Sequence, residues 1–313
     1  MKKIPVIVVA GPTASGKTGL AIHIAKKFDG EIVNADSMQI YKYMDIGTAK
    51  PTKEEMAQAV HHLIDFVEPD AEFSVADYTD LAHEKIADIY SRGKLAVVCG
   101  GTGLYINSLI DDVTFGEMES DYALRAELRK IAENQGAQVL LDMLAEFDEE
   151  SAKKIHPNNL KRLIRAIEFY KVTGVPISKH QQMTKLIESR YNPLMMIIDH
   201  DRDVLYQRIN QRVDIMLKEG LVDEVKSLME KGYKRDMNSM KGIGYKEVMD
   251  YLEGNTSYEE MVEILKQSTR HYAKRQLTWF RRDERINYIN AKSNVLEEAD
   301  KLVEEWLKNE KLQ

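Results

Sequence analysis

Five short apolar runs, Ile4 to Ala10, Glu31 to Ala35, Leu95 to Cys99, Met195 to Ile198 and Ile286 to Ile289, punctuate the chain. They have the length of strands buried on both faces, while the stretches between them repeat apolar residues every three or four positions, the period of an amphipathic helix. Strand and helix in alternation predict an α/β protein, a parallel sheet with flanking helices. Ligands of such sheets gather beyond the carboxyl ends of the strands. Those ends carry Asp36, Gly100-Gly101-Thr102 and Asp199.

The alternation lapses between the third and fourth runs. From about Phe115 to Asn192 no strand pattern is found, but Leu124, Leu128 and Ile131, then Leu160, Leu163, Ile164 and Ile167, recur at helical spacing. A mostly helical insertion domain, residues 115–194, is expected between a first part of the core, 1–114, and its completion, 195–313. Pro157 and Pro176 punctuate the insertion and Pro193 marks the return. Beyond Asn294, the spacing of Leu296, Ala299, Val303 and Leu307 predicts a terminal amphipathic helix.

Directly after the first run stands Gly11-Pro12-Thr13-Ala14-Ser15-Gly16-Lys17-Thr18, a complete G-x-x-x-x-G-K-[ST] phosphate-binding loop. Leu20-Ala21-Ile22-His23-Ile24-Ala25 supplies the helix it requires, so the sheet is expected to be a P-loop NTPase-like core. The glycines let successive backbone N–H groups curl around a polyphosphate, Lys17 sets a cation against its oxygens, and the Thr18 hydroxyl can hold Mg²⁺. The helix N-terminus adds its partial positive charge. A diphosphate or triphosphate is implied, but not the reaction.

Composition narrows the setting. With 313 residues, 43% of them hydrophobic, the chain can build a sizeable core. Met1-Lys2-Lys3 and the strand-length run behind it are too short for a signal peptide, and no apolar stretch approaches membrane-spanning length. A cytoplasmic protein with no membrane association, acting as a monomer, is expected. The single cysteine, Cys99, excludes an internal disulfide and a cysteine zinc cluster, and its apolar run makes it a buried, inert strand residue. His61-His62 reads as a hydrogen-bonded pair, and His83-Glu84 lacks the second histidine of a zinc-protease helix, since Ala87 stands there.

The net charge of -7 argues against a nucleic-acid partner, yet its distribution changes that picture. From Lys266 to Arg285 seven cations, including Arg270, Lys274, Arg275 and Arg281, stand against two anions. Tyr272, Trp279 and Phe280 interleave with them, which sets a phosphate-tracking surface with stacking groups beside the reading of a merely solvated helix face. Lys153, Lys154, Lys161, Arg162 and Arg165 form a second cluster.

Nucleotide-hydrolysing P-loop enzymes usually carry an acid on a further strand to support Mg²⁺. Here the third run ends in Gly100-Gly101-Thr102-Gly103-Leu104-Tyr105, and the acid lies after the second, in Asn34-Ala35-Asp36-Ser37-Met38-Gln39. Loop and lone carboxylate suit a kinase whose Asp36 deprotonates an acceptor hydroxyl, and equally a transferase whose leaving group is diphosphate. Arg208 and Arg212 lie four apart, opposite an apolar stripe of Leu205, Ile209 and Val213. That spacing suits a diphosphate clamp as well as an exposed charged stripe.

The ordered series of motifs resembles one family closely. The phosphate loop, Ala35-Asp36-Ser37-Met38-Gln39-Ile40-Tyr41, Met44-Asp45-Ile46-Gly47-Thr48-Ala49-Lys50-Pro51, the Gly100 turn, Gly242-Ile243-Gly244-Tyr245-Lys246-Glu247 and Thr269 to Arg281 are similar to those of the tRNA dimethylallyltransferases. The resemblance runs from Val8 to about Arg282. It implies transfer of a dimethylallyl group from dimethylallyl diphosphate, with Mg²⁺, to N6 of adenosine 37 in the tRNA anticodon stem-loop. Asp36 then matches the general base, Thr102 a hydroxyl donor in the reaction channel, and Arg208, with Arg212 beside it, the diphosphate clamp. Ser37, Met38 and Gln39 match a segment that contacts the extruded base. Asn159, Leu160, Lys161, Arg162 and Leu163 match a second tRNA-contacting stretch, from which this chain departs with His156 for the common Asp and Lys161 for the common Gln. Lys246, Arg270, Lys274, Arg275 and Arg281 complete the expected tRNA contacts. Two rivals are an adenylate isopentenyltransferase acting on free nucleotides and a P-loop small-molecule kinase.

Overall fold

A computed structural model describes residues 3–113, 121–185 and 188–311. The chain divides into two compact units, one of residues 1–110 and 190–313, the other Asp111–Ser189. The first unit opens with β1 (Ile4–Ala10), α1 (Lys17–Lys27), β2 (Gly30–Asn34), α2 (Lys53–Met56), β3 (His61–His62), α3 (Val75–Ser91), β4 (Leu95–Gly100) and α4 (Gly103–Ile110). The second unit holds α5 (Tyr122–Gln135), α6 (Ala137–Ala145), α7 (Glu149–Lys154), α8 (Leu160–Thr173) and α9 (Ile177–Lys185). The first then resumes with β5 (Tyr191–Asp199), α10 (Arg202–Lys218), α11 (Leu221–Glu230), α12 (Tyr245–Leu252), α13 (Tyr258–Phe280), β6 (Ile286–Asn290) and α14 (Val295–Lys311).

The six strands pair in the order β3-β2-β4-β1-β5-β6, all parallel. Their alternate residues serve two separate layers. Val6, Val8 and Ala10 of β1 face Tyr78, Ala82 and Ile86 of α3 and Ile106 of α4, while Ile7 and Val9 face Leu20 and Ile24 of α1 and Ala299 and Val303 of α14. Burial on both faces is why the strands read as unbroken apolar runs rather than as alternating ones. A further apolar layer joins α10 to α13 with Ile40, Tyr41 and Met44.

The fold differs from the sequence reading at three places, two of them in the sheet. β3, a two-residue edge strand, carries too short a pattern to be seen; His61 Nδ1 bonds the Ala59 carbonyl at 2.8 Å and His62 Nε2 the Glu31 carboxylate at 2.8 Å. β5 begins at Tyr191, so residues 191–194, expected in the insertion, belong to the sheet, with Pro193 opposite Val6. Proline is tolerated there because β6 pairs only from Met195 onward, leaving that side of Pro193 without a ladder bond to lose. In α14 the buried face runs through Ala299 and Val303, but Leu296 is 43% exposed, and Val295 packs inward instead.

Among its described residues the second unit is helical, around Leu128, Leu140, Leu144, Leu163, Ile164 and Ile167. The expected start at Phe115 lies outside the described residues. Glu168 is fully buried in this unit, where it accepts from Arg125 at 2.8 and 3.0 Å, Arg165 at 3.1 Å and the Asp121 amide at 2.9 Å. Burial alone would raise its carboxyl, but these donors outweigh it and hold the group below the usual range. Leu163, expected to contact tRNA, is a core residue of this helix bundle with no exposed surface. Helical spacing explains the error, since the motif places Leu163 beside exposed Lys161 and Arg162 but the helix turns it inward.

Candidate active site

Three adjacent strands, β2, β4 and β1, deliver the site in that order. β2 leads to Asp36, β4 to the Gly-Gly-Thr turn and β1 to the phosphate loop, with neighbouring strands about 4.8 Å apart. The pairing Asn34↔Cys99 sets Asp36 and Thr102 side by side, and Ala10↔Gly100 brings the loop next to that turn.

The loop ends at Gly16, whose φ of 92° is left-handed, and α1 begins at Lys17 with no side chain capping its first amides. Those open N–H groups and the helix dipole form an anion site. Carbonyls that would repel an anion are engaged from outside the loop or from its own lysine. Pro12 O accepts from Lys17 Nζ at 3.3 Å, Ala14 O from Arg208 Nε at 2.8 Å, and Ser15 O from His200 Nε2 at 2.8 Å. Burial pulls the Lys17 ammonium below its ordinary range, partly offset by Asp36. Burial lowers Arg212 as well, offset by Glu55 and Asp36 and aggravated by Arg208. Desolvated cations are stabilised by an anion beside them.

On the other side, Asp36 Oδ1 accepts from the Met38 amide at 2.9 Å. Asn34 braces the turn, accepting from the Asp36 amide at 3.2 Å and donating to the carbonyls of Asp36 at 3.2 Å and Leu63 at 2.9 Å. Thr102 Oγ1 accepts from the Ser37 amide at 2.9 Å, and its hydroxyl donates to Ser37 Oγ at 3.2 Å. Tyr272 reaches Thr102 from α13, and burial pushes its phenol up. The glycines here serve close approach. A Cβ on Gly100 would lie 2.2 Å from Ala35 O, and one on Gly101 2.3 Å from Gln276 Nε2.

Asp36, Lys17, Thr18, Arg212 and Tyr272 open on one cavity of about 350 Å³. A second, of about 900 Å³, also counts Lys17, Thr18 and Arg212 in its wall, with Arg208. The loop over both is latched by Glu224 of α11, whose carboxylate accepts from the amides of Asp45, Ile46 and Gly47 at 2.9, 2.8 and 3.1 Å and from Tyr245 Oη at 2.7 Å.

Residues 39–283 match the model of the IPP transferase family, which takes in more than half of the chain. The chain belongs to that family. It is 50% identical to the tRNA dimethylallyltransferase of a Thermoanaerobacter species over 304 residues, 94% of this chain and 96% of that one. It is 54% identical to the tRNA dimethylallyltransferase of Acetivibrio thermocellus over 285 residues, 91% of each chain. Among solved structures it is similar to the tRNA isopentenylpyrophosphate transferase of Bacillus halodurans, with a TM-score of 0.75, 43% identity, and coverage of 99% of this chain and 98% of that one. A eukaryotic dimethylallyltransferase acting on tRNA gives a TM-score of 0.83 at 30% identity, covering 97% of this chain and 80% of that one.

The transferase brings Asp36, Ser37, Met38, Gln39, Lys17, Thr18, Thr13, Arg212 and Lys246 to the smaller cavity, whereas Thr102 lines neither and meets the site through its bonds to Ser37. Gly16, Ala14 and Arg208 line the larger one. Gly11, Pro12 and Ser15 are buried within the loop, and neither they nor Asp199 line either cavity. Along α13 and in the turn after it, Lys274, Arg275, Trp279 and Arg282 line a third hollow of about 380 Å³, Arg275 reaching the smaller cavity too. Arg270 is tied to Asn210 Oδ1 at 2.6 Å, and Arg281 is exposed at the end of the helix. Phe280, expected as a stacking group, is 1% exposed and packs under the sheet, while Trp279 donates to Asn107 Oδ1 at 3.1 Å. In the insertion, Asn159 caps α8 by accepting from the Arg162 amide, Lys161 and Arg162 are exposed, and Leu160 packs on the bundle core. Sequence reasoning gave no role to Gln276, His200 or Glu224. Apart from Tyr245 Oη on Glu224, their partners are backbone groups far away in the chain, and the only signal was that Gln276 lies inside a matching motif.

Proposed function

We propose that this transferase moves a dimethylallyl group from dimethylallyl diphosphate to the exocyclic N6 of adenosine 37 in the anticodon loop of tRNA. The observation that carries the reading is that the anion cradle and Asp36 open on the same cavity, with Thr102 bonded to the neighbouring Ser37. An adenine amine is a poor nucleophile, because its lone pair is delocalised into the ring. As N6 bonds to C1 of the donor, its proton passes to the Asp36 carboxylate, the C1–O bond breaks, and its electron pair leaves with the diphosphate. The α1 amides, Lys17 and Arg212 stabilise the charge gathering on that leaving group, with Arg208 behind the loop. Thr102, held by Ser37 and Tyr272, orients the base against Asp36.

The Thr18 hydroxyl, in the first turn of α1 and facing the cradle, is a hard oxygen donor that suits Mg²⁺ alongside diphosphate oxygens and water. Such an ion would offset charge on the leaving group. The target base must be extruded from the loop at a cost of roughly a few kcal/mol. Ser37, Met38, Gln39 and Lys246 line the cavity that would receive it, and the RNA backbone is assigned to Lys274 and Arg275, with Arg270 earlier on α13 and Arg281 at its end. Lys161 and Arg162, with Asn159 and Leu160, form the contact proposed for the insertion. The reading takes the protein as a monomer acting in the cytoplasm. No helix among the described residues is long and apolar enough to cross a membrane.

The test is incubation with Mg²⁺, labelled dimethylallyl diphosphate and unmodified tRNA bearing adenosine 37, followed by digestion. N6-dimethylallyladenosine at that position is expected. Transfer to free AMP instead, or ATP consumption without RNA, would replace this reading with one of the two rivals.

A further inference from the structure

Both ends of the Gln276 amide are committed, and to different halves of the site. The side chain sits on α13 at 5% exposure. Its Oε1 accepts from the Thr13 amide of the phosphate loop at 3.1 Å, and its Nε2 donates to the Gly101 carbonyl at 2.8 Å. Between β1 and β4 the last backbone pair is Ala10↔Gly100, so beyond it no ladder pairing holds the loop to the turn. Gln276 bridges that gap. Gly101 precedes Thr102, whose hydroxyl holds the amide next to Asp36.

We propose that Gln276 is a positioning residue that fixes the separation between the diphosphate cradle and the Asp36–Thr102 pair. Because Lys274 and Arg275 stand on the same helix, it also makes that alignment depend on the helix that faces the RNA. An Asn is one methylene too short to span both partners, and an ionised Glu has no donor for Gly101 O. The inference rests on the transfer reading above.

Two variants test it, Gln276→Leu and Gln276→Glu, by single-turnover transfer at saturating tRNA and donor, with tRNA binding measured separately. The Leu variant is expected to slow transfer about ten- to a hundredfold while tRNA affinity stays within about threefold. The Glu variant keeps the acceptor for Thr13 N–H and regains a donor only when protonated. Its rate relative to wild type is therefore expected to rise between about pH 8 and about pH 5.5. Taking that ratio cancels titration of the groups around the cavity, Lys17 at the loop, Asp36 after β2, Arg212 on α10, and Tyr272 and Arg275 on α13 itself. A Leu variant with the wild-type rate, or a Glu variant whose ratio is flat with pH, overturns the inference. Should the Leu variant fail to fold, the Glu ratio decides alone. An inactive wild type would remove the transfer reading and this inference with it, an outcome distinct from active wild type matched by its variants.

Discussion

Replacing Asp36 by Asn separates its proton-accepting role from everything else the residue does. Its Oδ1 takes the Met38 amide at 2.9 Å, and Asn34 holds its backbone at 3.2 Å through both the amide and the carbonyl. An Asn keeps an Oδ1 acceptor for Met38, so the turn persists, and what disappears is the basic oxygen facing the cavity. A positioned general base contributes about 10²–10⁴ in rate, or about 2.7–5.5 kcal/mol at about 1.36 kcal/mol per decade. The lost charge acts in two opposing directions on donor binding. Asp36 favours the protonated forms of Lys17 and Arg212, yet it also repels a diphosphate. The expected result of steady-state transfer assays is a kcat lower by about 10²–10⁴ with the donor KM within about threefold. A kcat within about tenfold of wild type, or a loss residing in KM, would refute the assignment of Asp36 as proton acceptor.

Four further outcomes follow from the same geometry. Arg212→Met should lower transfer about 10²–10³-fold, as loss of an oxyanion donor does, and weaken inhibition by inorganic diphosphate; unchanged inhibition would take Arg212 out of the cradle. Leu163→Ala should destabilise the insertion by about 2–5 kcal/mol in urea unfolding, whereas Lys161→Ala should leave stability alone and weaken tRNA binding. If the two variants behave alike, the inward placement of Leu163 is wrong. Lys274→Ala with Arg275→Ala should flatten the salt dependence of tRNA binding by a log–log slope of about 0.7 per lost single-strand phosphate contact, and an unchanged slope would make this hollow solvated surface. At the opposite end of β2, Arg92 holds the nearly buried Glu31 carboxyl far below its ordinary value of 4.5, against burial and with help from His62 and Lys94. A depressed carboxylate stabilises the fold above its unfolded pKa and loses that contribution as pH falls. The melting-temperature gap between wild type and Arg92→Ala should therefore narrow below about pH 4.5, and a constant gap would contradict the linkage.

The parallel core was legible because strands buried on both faces leave apolar runs, and the phosphate loop because its spacing follows from its chemistry. The neighbourhood of Asp36 and Thr102 followed from motifs on what prove to be paired strands. Side-chain direction was less legible. Leu163, Phe280 and Leu296 occupy sequence positions that suited one face and point to the other, since helical phase shifts over a few residues. Gln276 was invisible in its role, because its partner Thr13 lies 263 positions away and a side chain bonding to backbone leaves no residue pattern at the other end. The two-residue β3 is too short for any period to register.

Cys99 gives this protein a built-in reporter. It is the chain's one thiol, it lies directly beneath the cradle, and its Sγ–H donates to the Lys17 carbonyl at 3.8 Å. Burial pushes the thiol up to about 11, Lys17 offsetting only part of this. At neutral pH, then, little thiolate exists and little surface is offered, so alkylation must wait for the cradle to open. The rate at which an unmodified protein takes up a thiol reagent thus measures the free energy of local opening at the phosphate loop. A ligand seated in the closed cradle slows the labelling by a factor of about 1 + [L]/Kd, which turns occupancy into a mass-spectrometric clock without any label on ligand, RNA or protein.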